Sequence, residues 1–129
     1  MNFDLYSNID IAQSLSPAAR TTSVNGTGID LQGYQAAVFE LSTGVITDGT
    51  HTLDLQESDD NSAFTSIAAS DLLGTESTIA LTDDNVIKRC GYIGTKRYIR
   101  VAMTLSGTTT GGVYGINVIR SRALLSPLA

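Results

Sequence analysis

The 129-residue chain has one cysteine, one histidine, two prolines and no tryptophan, and each shortage removes a class of protein. A single Cys cannot form an internal disulfide, and with one His beside it there is no site of the His/Cys metal type. No apolar run approaches the roughly 18 residues of a membrane-spanning helix, so no membrane role is expected. Met1-Asn2-Phe3-Asp4 lacks the basic-then-apolar pattern of a secretory signal, and the expectation is an intracellular origin. The length suits one domain, 1–129, able to bury a core without staples.

Acidic residues are missing from the last third. All thirteen lie between Asp4 and Asp84, with Arg20 as the one base among them, whereas Lys88, Arg89, Lys96, Arg97, Arg100, Arg120 and Arg122 follow with no acid. The net charge of −5 therefore combines an acidic part of −12 with a basic part of +7. Such a chain either lays its basic strands beside its acidic ones or offers faces of opposite sign to partners.

What is abundant is Ser, Thr and Gly, together 41 residues spread along the chain. They are poor helix formers and good turn formers, and the spacing of apolar residues predicts an all-β fold, an antiparallel β-sandwich or jelly-roll-like barrel. Residues 1–18 read as an extended N-terminal arm or edge strand. Arg20 to Val24 reads as a strand closed by a tight turn at Asn25-Gly26. Ile29 and Leu31 alternate with Asp30; Tyr34 to Leu41 then places Ala37, Phe39 and Leu41 on one face. After Asp48-Gly49 comes a strand with Leu53 and Leu55 inward and His51 outward among threonines. Ser58 to Ser62 is a polar turn, Phe64 to Leu73 is undecided between helix and strand, and Ser77–Leu81 and Val86–Lys88 are short strands. Arg97 to Leu105 and Val113 to Arg120 are expected to form a final hairpin around the Gly/Thr loop 107–112. Residues 121–129 form an apolar C-terminal tail with Leu124, Leu125 and Leu128.

Catalytic patterns are scarce. His51 is the one available base for a Ser or Cys nucleophile, and its position among polar strand residues makes it one more surface group. Cys90 reads as a buried thiol. Asp59-Asp60-Asn61 and Asp83-Asp84-Asn85 offer hard oxygen ligands, but neither run has a twelve-residue calcium loop ending in Glu, so both read as solvated turns. Gly107 to Gly112 lacks the Lys of a phosphate loop. Lys96, Arg97 and Arg100, interleaved with Tyr92 and Tyr98, look superficially like a nucleic-acid strand, but thirteen acids oppose a polyanion. The expectation is no enzyme, no cofactor and no metal. The bases Lys96, Arg97, Arg100, Arg120 and Arg122 and the tail leucines Leu124, Leu125 and Leu128 are the candidate partner contacts; if the charge division serves assembly, attachment weakens in salt, and indifference to salt points to apolar docking alone.

Four runs carry a resemblance: Val45-Ile46-Thr47-Asp48-Gly49-Thr50-His51-Thr52-Leu53, Gln56-Glu57-Ser58-Asp59-Asp60-Asn61-Ser62-Ala63-Phe64, Gly91-Tyr92-Ile93-Gly94-Thr95-Lys96-Arg97-Tyr98-Ile99-Arg100-Val101 and Gly111-Gly112-Val113-Tyr114-Gly115. From about residue 28 to 120 the chain resembles small head-module structural proteins of tailed bacteriophages. The resemblance implies a virion component made in the host cytoplasm. Its implied role is a capsid cement or decoration protein, on the capsid exterior, bound to the major capsid protein and commonly trimeric. A head-completion, tail or fibre-associated protein, or a glycan-binding β-sandwich on the virion, is the alternative.

Overall fold

The computed structural model describes residues 5–74, 78–79 and 84–122, with Thr78, Ile79 and Arg122 described by their backbone. Leu124, Leu125 and Leu128 lie outside the described residues, as do Ser77 and residues 80–83. In chain order the strands are β1 (Ile9–Arg20), β2 (Val24–Asn25), β3 (Ile29–Asp30), β4 (Tyr34–Ile46), β5 (Thr50–Ser58), β6 (Thr65–Ser66), β7 (Leu72–Leu73), β8 (Thr78–Ile79), β9 (Ile87–Tyr92), β10 (Tyr98–Ser106) and β11 (Gly112–Arg122). The undecided stretch after Phe64 resolves into β6, a single 3-10 turn at Ala69–Asp71, and β7.

The strands form two antiparallel sheets packed face to face, an all-β sandwich. The first sheet runs β1-β11-β4-β9-β7, and the second β2-β10-β5-β6, with β3 also on β10 and β8 on β5. Inward side chains follow the period of two along each long strand: Ala37, Phe39 and Leu41 on β4; Leu53 and Leu55 on β5; Ile99, Val101 and Met103 on β10; Tyr114, Ile116 and Val118 on β11, all buried. Each fully buried aliphatic side chain contributes about 1.5–3 kcal/mol relative to exposure.

Three sequence expectations are corrected. The two last long strands are not a hairpin. β10 pairs with β5 from Tyr98–Ser58 to Ser106–Thr50, while β11 lies between β1 and β4 in the other sheet. The Gly/Thr loop carries the chain across the sandwich, with Gly107 and Gly111 at positive φ (68° and 78°). Alternation shows that each strand has one inward face, but inward faces meet equally well between sheets as within a hairpin.

Asn25-Gly26 is no tight turn either. The segment from β2 to β3 lies along the edge of β10, and the Gly26 N–H donates to Val101 O at 2.7 Å. The strand expected over Arg20 to Val24 is instead the end of β1 and the start of β2. Glycine is required at position 26 because a Cβ would sit 2.5 Å from Ser14 Oγ. The third correction is His51, which is fully buried. It shares its parity with Leu53 and Leu55, so a strand that turns those leucines inward turns His51 inward too.

Candidate interaction surface

The outer faces of the two sheets differ in chemistry. On the second sheet the outward rungs are Ser106–Thr50, Thr104–Thr52, Ala102–Asp54 and Arg100–Gln56. Ser66 joins them from β6, donating to Asp54 Oδ2 at 2.8 Å. This face is polar along its length and suits contact with water.

The outer face of the first sheet carries an apolar row across all five strands. Ile11 of β1 pairs with Ile119 of β11, Ile119 with Val38 of β4, Val38 with Gly91 of β9, and Gly91 with Leu73 of β7. Register partners in neighbouring strands share a face, so these residues stand side by side. Leu73 lies over Gly91, where an added Cβ would be 3.1 Å from the leucine. The ends of the row are open: Ile11 is 55% and Leu73 61% exposed. A polar row of Gln13, Asn117, Glu40 and Arg89 runs beside it, with Asn117 Nδ2 donating to Glu40 Oε1 at 3.2 Å. Beyond that, Gly44 and Gly115 floor a depression of about 150 Å³ rimmed by Pro17, Ser42 and Val113.

The candidate bases do not gather into one patch. Arg97 forms a two-pronged bond to Asp30, Nε to Oδ1 and Nη2 to Oδ2, both 2.9 Å, and its guanidinium stands 5.0 Å from the Tyr98 ring. Arg120 donates to Asp10 Oδ2 at 2.6 Å and to the Asp30 carbonyl at 2.8 Å, and lies 4.5 Å over Tyr34, whose hydroxyl also donates to Asp10. Arg97 and Arg120 thus converge on Asp30, and the Arg97 fork, helped by the Gln32 N–H, holds the Asp30 carboxyl at about 2. Lys96 pairs with Asp59 at 2.8 Å, which raises the ammonium above its ordinary range. Arg100 donates to Gln56 at 2.8 Å and covers the Phe64 ring at 4.0 Å. Arg122 closes β11 opposite Tyr34. Three of the late bases therefore sit on acids of the early part of the chain, the first of the two ways open to a chain with divided charge.

The buried polar groups act between strands. His51 Nε2 faces the Asp48 carbonyl at 3.1 Å. A carbonyl only accepts, so the proton belongs on Nε2, and Nδ1 accepts from the Tyr114 hydroxyl at 3.0 Å. Burial pushes the Tyr114 phenol up to about 12. The Asp48 carboxylate receives the N–H groups of Thr109, Thr110 and Gly111 at 3.1, 3.1 and 2.7 Å, and these donors hold its carboxyl below the ordinary range. A Cβ on Gly111 would collide with the Arg20 carbonyl. Asp60 is likewise held down by the N–H groups of Ala63 and Ser62 and by the Ser58 hydroxyl, with Asn61 at φ 60° completing the turn. Burial and its bond to Glu57 push the Tyr92 phenol up.

Among the described residues, no group of three or more His, Cys, Asp and Glu stands in metal-holding geometry. Cys90 is buried. No described helix is long and apolar enough to cross a membrane. The apolar row has a signal in the sequence that strand alternation alone hides. Val38 interrupts the inward series Ala37, Phe39 and Leu41, and Ile119 follows the inward Val118. Apolar residues at both parities of one strand mark a second apolar face.

Fold and surface together define a class: a β-sandwich with one polar outer face and one outer face crossed by an apolar row. No family model matches the chain, and no curated protein matches it significantly.

Proposed function

We propose that the protein is a structural component of a bacteriophage virion. In this reading it is a capsid cement or decoration protein that attaches to the major capsid protein on the head exterior, as a homo-oligomer with trimers favoured. The row Ile11, Ile119, Val38, Gly91 and Leu73 carries the reading. It is a continuous apolar strip across the outer face of the first sheet, a face that also exposes Ile87 and Val113, and sheet faces exposed to water on a monomer rarely keep one. The resemblance over residues 28–120 supplies the partner, and the row supplies the surface. Many copies on a symmetric lattice add modest contacts into firm attachment.

The experiment is reconstitution on capsids lacking the protein, with copy number measured per particle. A cement protein saturates in proportion to the number of capsid subunits. A head-completion or tail component stops at a small ring of copies, and specific capture of a glycan without capsid binding would replace this reading by the carbohydrate one.

A further inference from the structure

The first sheet splits at one end. Pairing between β4 and β9 stops at Ala37–Tyr92. Beyond it β4 continues to Tyr34 alongside β11, whereas the chain after β9 turns away, with the Ile93 N–H donating to the Asp71 carbonyl at 2.8 Å. The wedge between them is a notch of about 220 Å³ with Leu31, Ala36, Ala37 and Ile93 as its apolar lining and Tyr34, Gln35, Tyr92 and Gly94 completing the walls.

Its walls are fixed from outside. The Tyr92 hydroxyl donates to Glu57 at 2.8 Å and accepts from the Lys96 N–H at 3.0 Å. Tyr34 is held by Asp10 and lies under the Arg120 guanidinium. Ile93 is nonetheless 54% exposed at the rim. A notch this size is below the roughly 300–1,000 Å³ of small-molecule sites. It exceeds the roughly 150 Å³ apolar cavity that takes up a benzene. One or two branched aliphatic side chains fill it.

Such side chains follow β11 closely in the sequence. β11 ends with Arg122 opposite Tyr34, one strand from the notch, a lateral distance of roughly 5 Å. Residues 123–129, Ala-Leu-Leu-Ser-Pro-Leu-Ala, follow directly and carry no side-chain charge. Two residues of extended chain reach about 7 Å, so Leu124 and Leu125 are within range. We infer that the notch is a docking site for a leucine-bearing extended segment, and that its occupant is this chain's own segment 123–129, with Leu124 or Leu125 in the wedge. A tether this short gives the segment an effective concentration in the millimolar range, far above that of a second copy in dilute solution. The inference concerns the isolated protein and stands independently of the capsid reading.

The test is disulfide trapping in the full chain at low concentration. One variant carries Ala36→Cys with Leu125→Cys; the control carries Ser66→Cys, on the outer face of the second sheet, with Leu125→Cys. The native Cys90 is buried, and peptide mapping identifies the bond formed. The notch pair is expected to close within one chain at least about tenfold faster than the control, as tethered docking requires. Equal rates overturn the inference, and a bond between chains assigns the notch to a second copy instead. A measurement without added cysteines runs alongside: amide exchange at residues 34–37 in the full chain and in one ending at Arg122. Faster exchange in the shortened chain is expected, and unchanged exchange overturns the docking.

Discussion

His51 Nδ1 and the Tyr114 hydroxyl meet 3.0 Å apart inside the sandwich, one side chain from the second sheet and the other from the first. Their rings stand edge to face, 5.3 Å between centroids and 83° between planes. The other ring nitrogen holds the Asp48 carbonyl, so a single imidazole ties the two sheets to the turn between β4 and β5. That turn is tied in turn to the loop between β10 and β11 through the Asp48 carboxylate. Both ring nitrogens of the chain's one histidine are thereby engaged in structural hydrogen bonds.

Replacing this imidazole with an apolar group of similar volume leaves the buried Tyr114 phenol and the part-buried Asp48 carbonyl without their partner. His51→Leu is expected to cost about 2–4 kcal/mol and Tyr114→Phe about 1–2 kcal/mol. The double variant should cost less than the two together by about 1 kcal/mol, because the second change removes a group the first has already orphaned. Urea unfolding of the four proteins checks this. An unchanged midpoint for His51→Leu would mean that the hydrogen bonds contribute nothing net.

Ser14 joins the same two sheets at their edge. It sits at an irregularity in the pairing of β1 with β11 and is buried. Its hydroxyl donates to the Thr27 carbonyl at 3.0 Å and accepts the Val101 N–H at 3.1 Å. Ser14→Ala leaves that buried amide without its acceptor, at an expected cost of about 1–3 kcal/mol. Amide exchange at Val101 should accelerate more than at Met103. Uniform acceleration would show a global effect rather than the loss of this bond.

Acid should loosen the loop connections in a defined window. The Asp48, Asp60 and Asp30 carboxyls are all held below their ordinary value of 3.8. A group depressed in the folded state stabilises it fully above the unfolded value and loses that contribution as pH falls through the folded one. Stability is therefore expected to be level from neutrality to about pH 5 and to fall below pH 4, with the Asp30 part persisting towards pH 2. Asp48→Asn should lower the neutral-pH melting temperature and flatten the acid limb. An acid limb of the same steepness would remove the carboxylate from this role.

The limits of sequence reading here are physical. Period-two alternation located β4, β5, β10 and β11 and most of their inward residues, because each strand buries a single face. The same alternation carries no information about which sheet a strand joins, so a Gly/Thr loop between two alternating strands reads as a hairpin turn in the sequence when it is a crossover in the fold. The polar neighbours of His51 mask its parity with Leu53 and Leu55, and the partner that makes its burial tolerable, Tyr114, lies 63 positions away. The apolar row needs the register of four strand pairs, which no local pattern contains. Charge was legible as a division of the chain but not as the specific pairs Arg97–Asp30, Arg120–Asp10 and Lys96–Asp59.

Those pairs alter what is expected of attachment. A docking surface built on the basic part of the chain would lose affinity steeply with salt, since exposed charges are screened beyond about 8 Å at physiological ionic strength. Here Lys96, Arg97 and Arg120 already face acids of the same chain, while the apolar row has no charge to screen. Under the proposed function, attachment to capsids is therefore expected to change little between low and high sodium chloride and to show a negative heat-capacity change. Ile11→Lys and Leu73→Lys, at the open ends of the row, should each leave the melting temperature nearly unchanged and weaken capsid attachment about tenfold or more, as expected for charge placed in an apolar contact. Sedimentation of capsids with bound protein measures both effects. Strong salt dependence with full binding by the two lysine variants would move the docking surface from the first sheet to the basic residues.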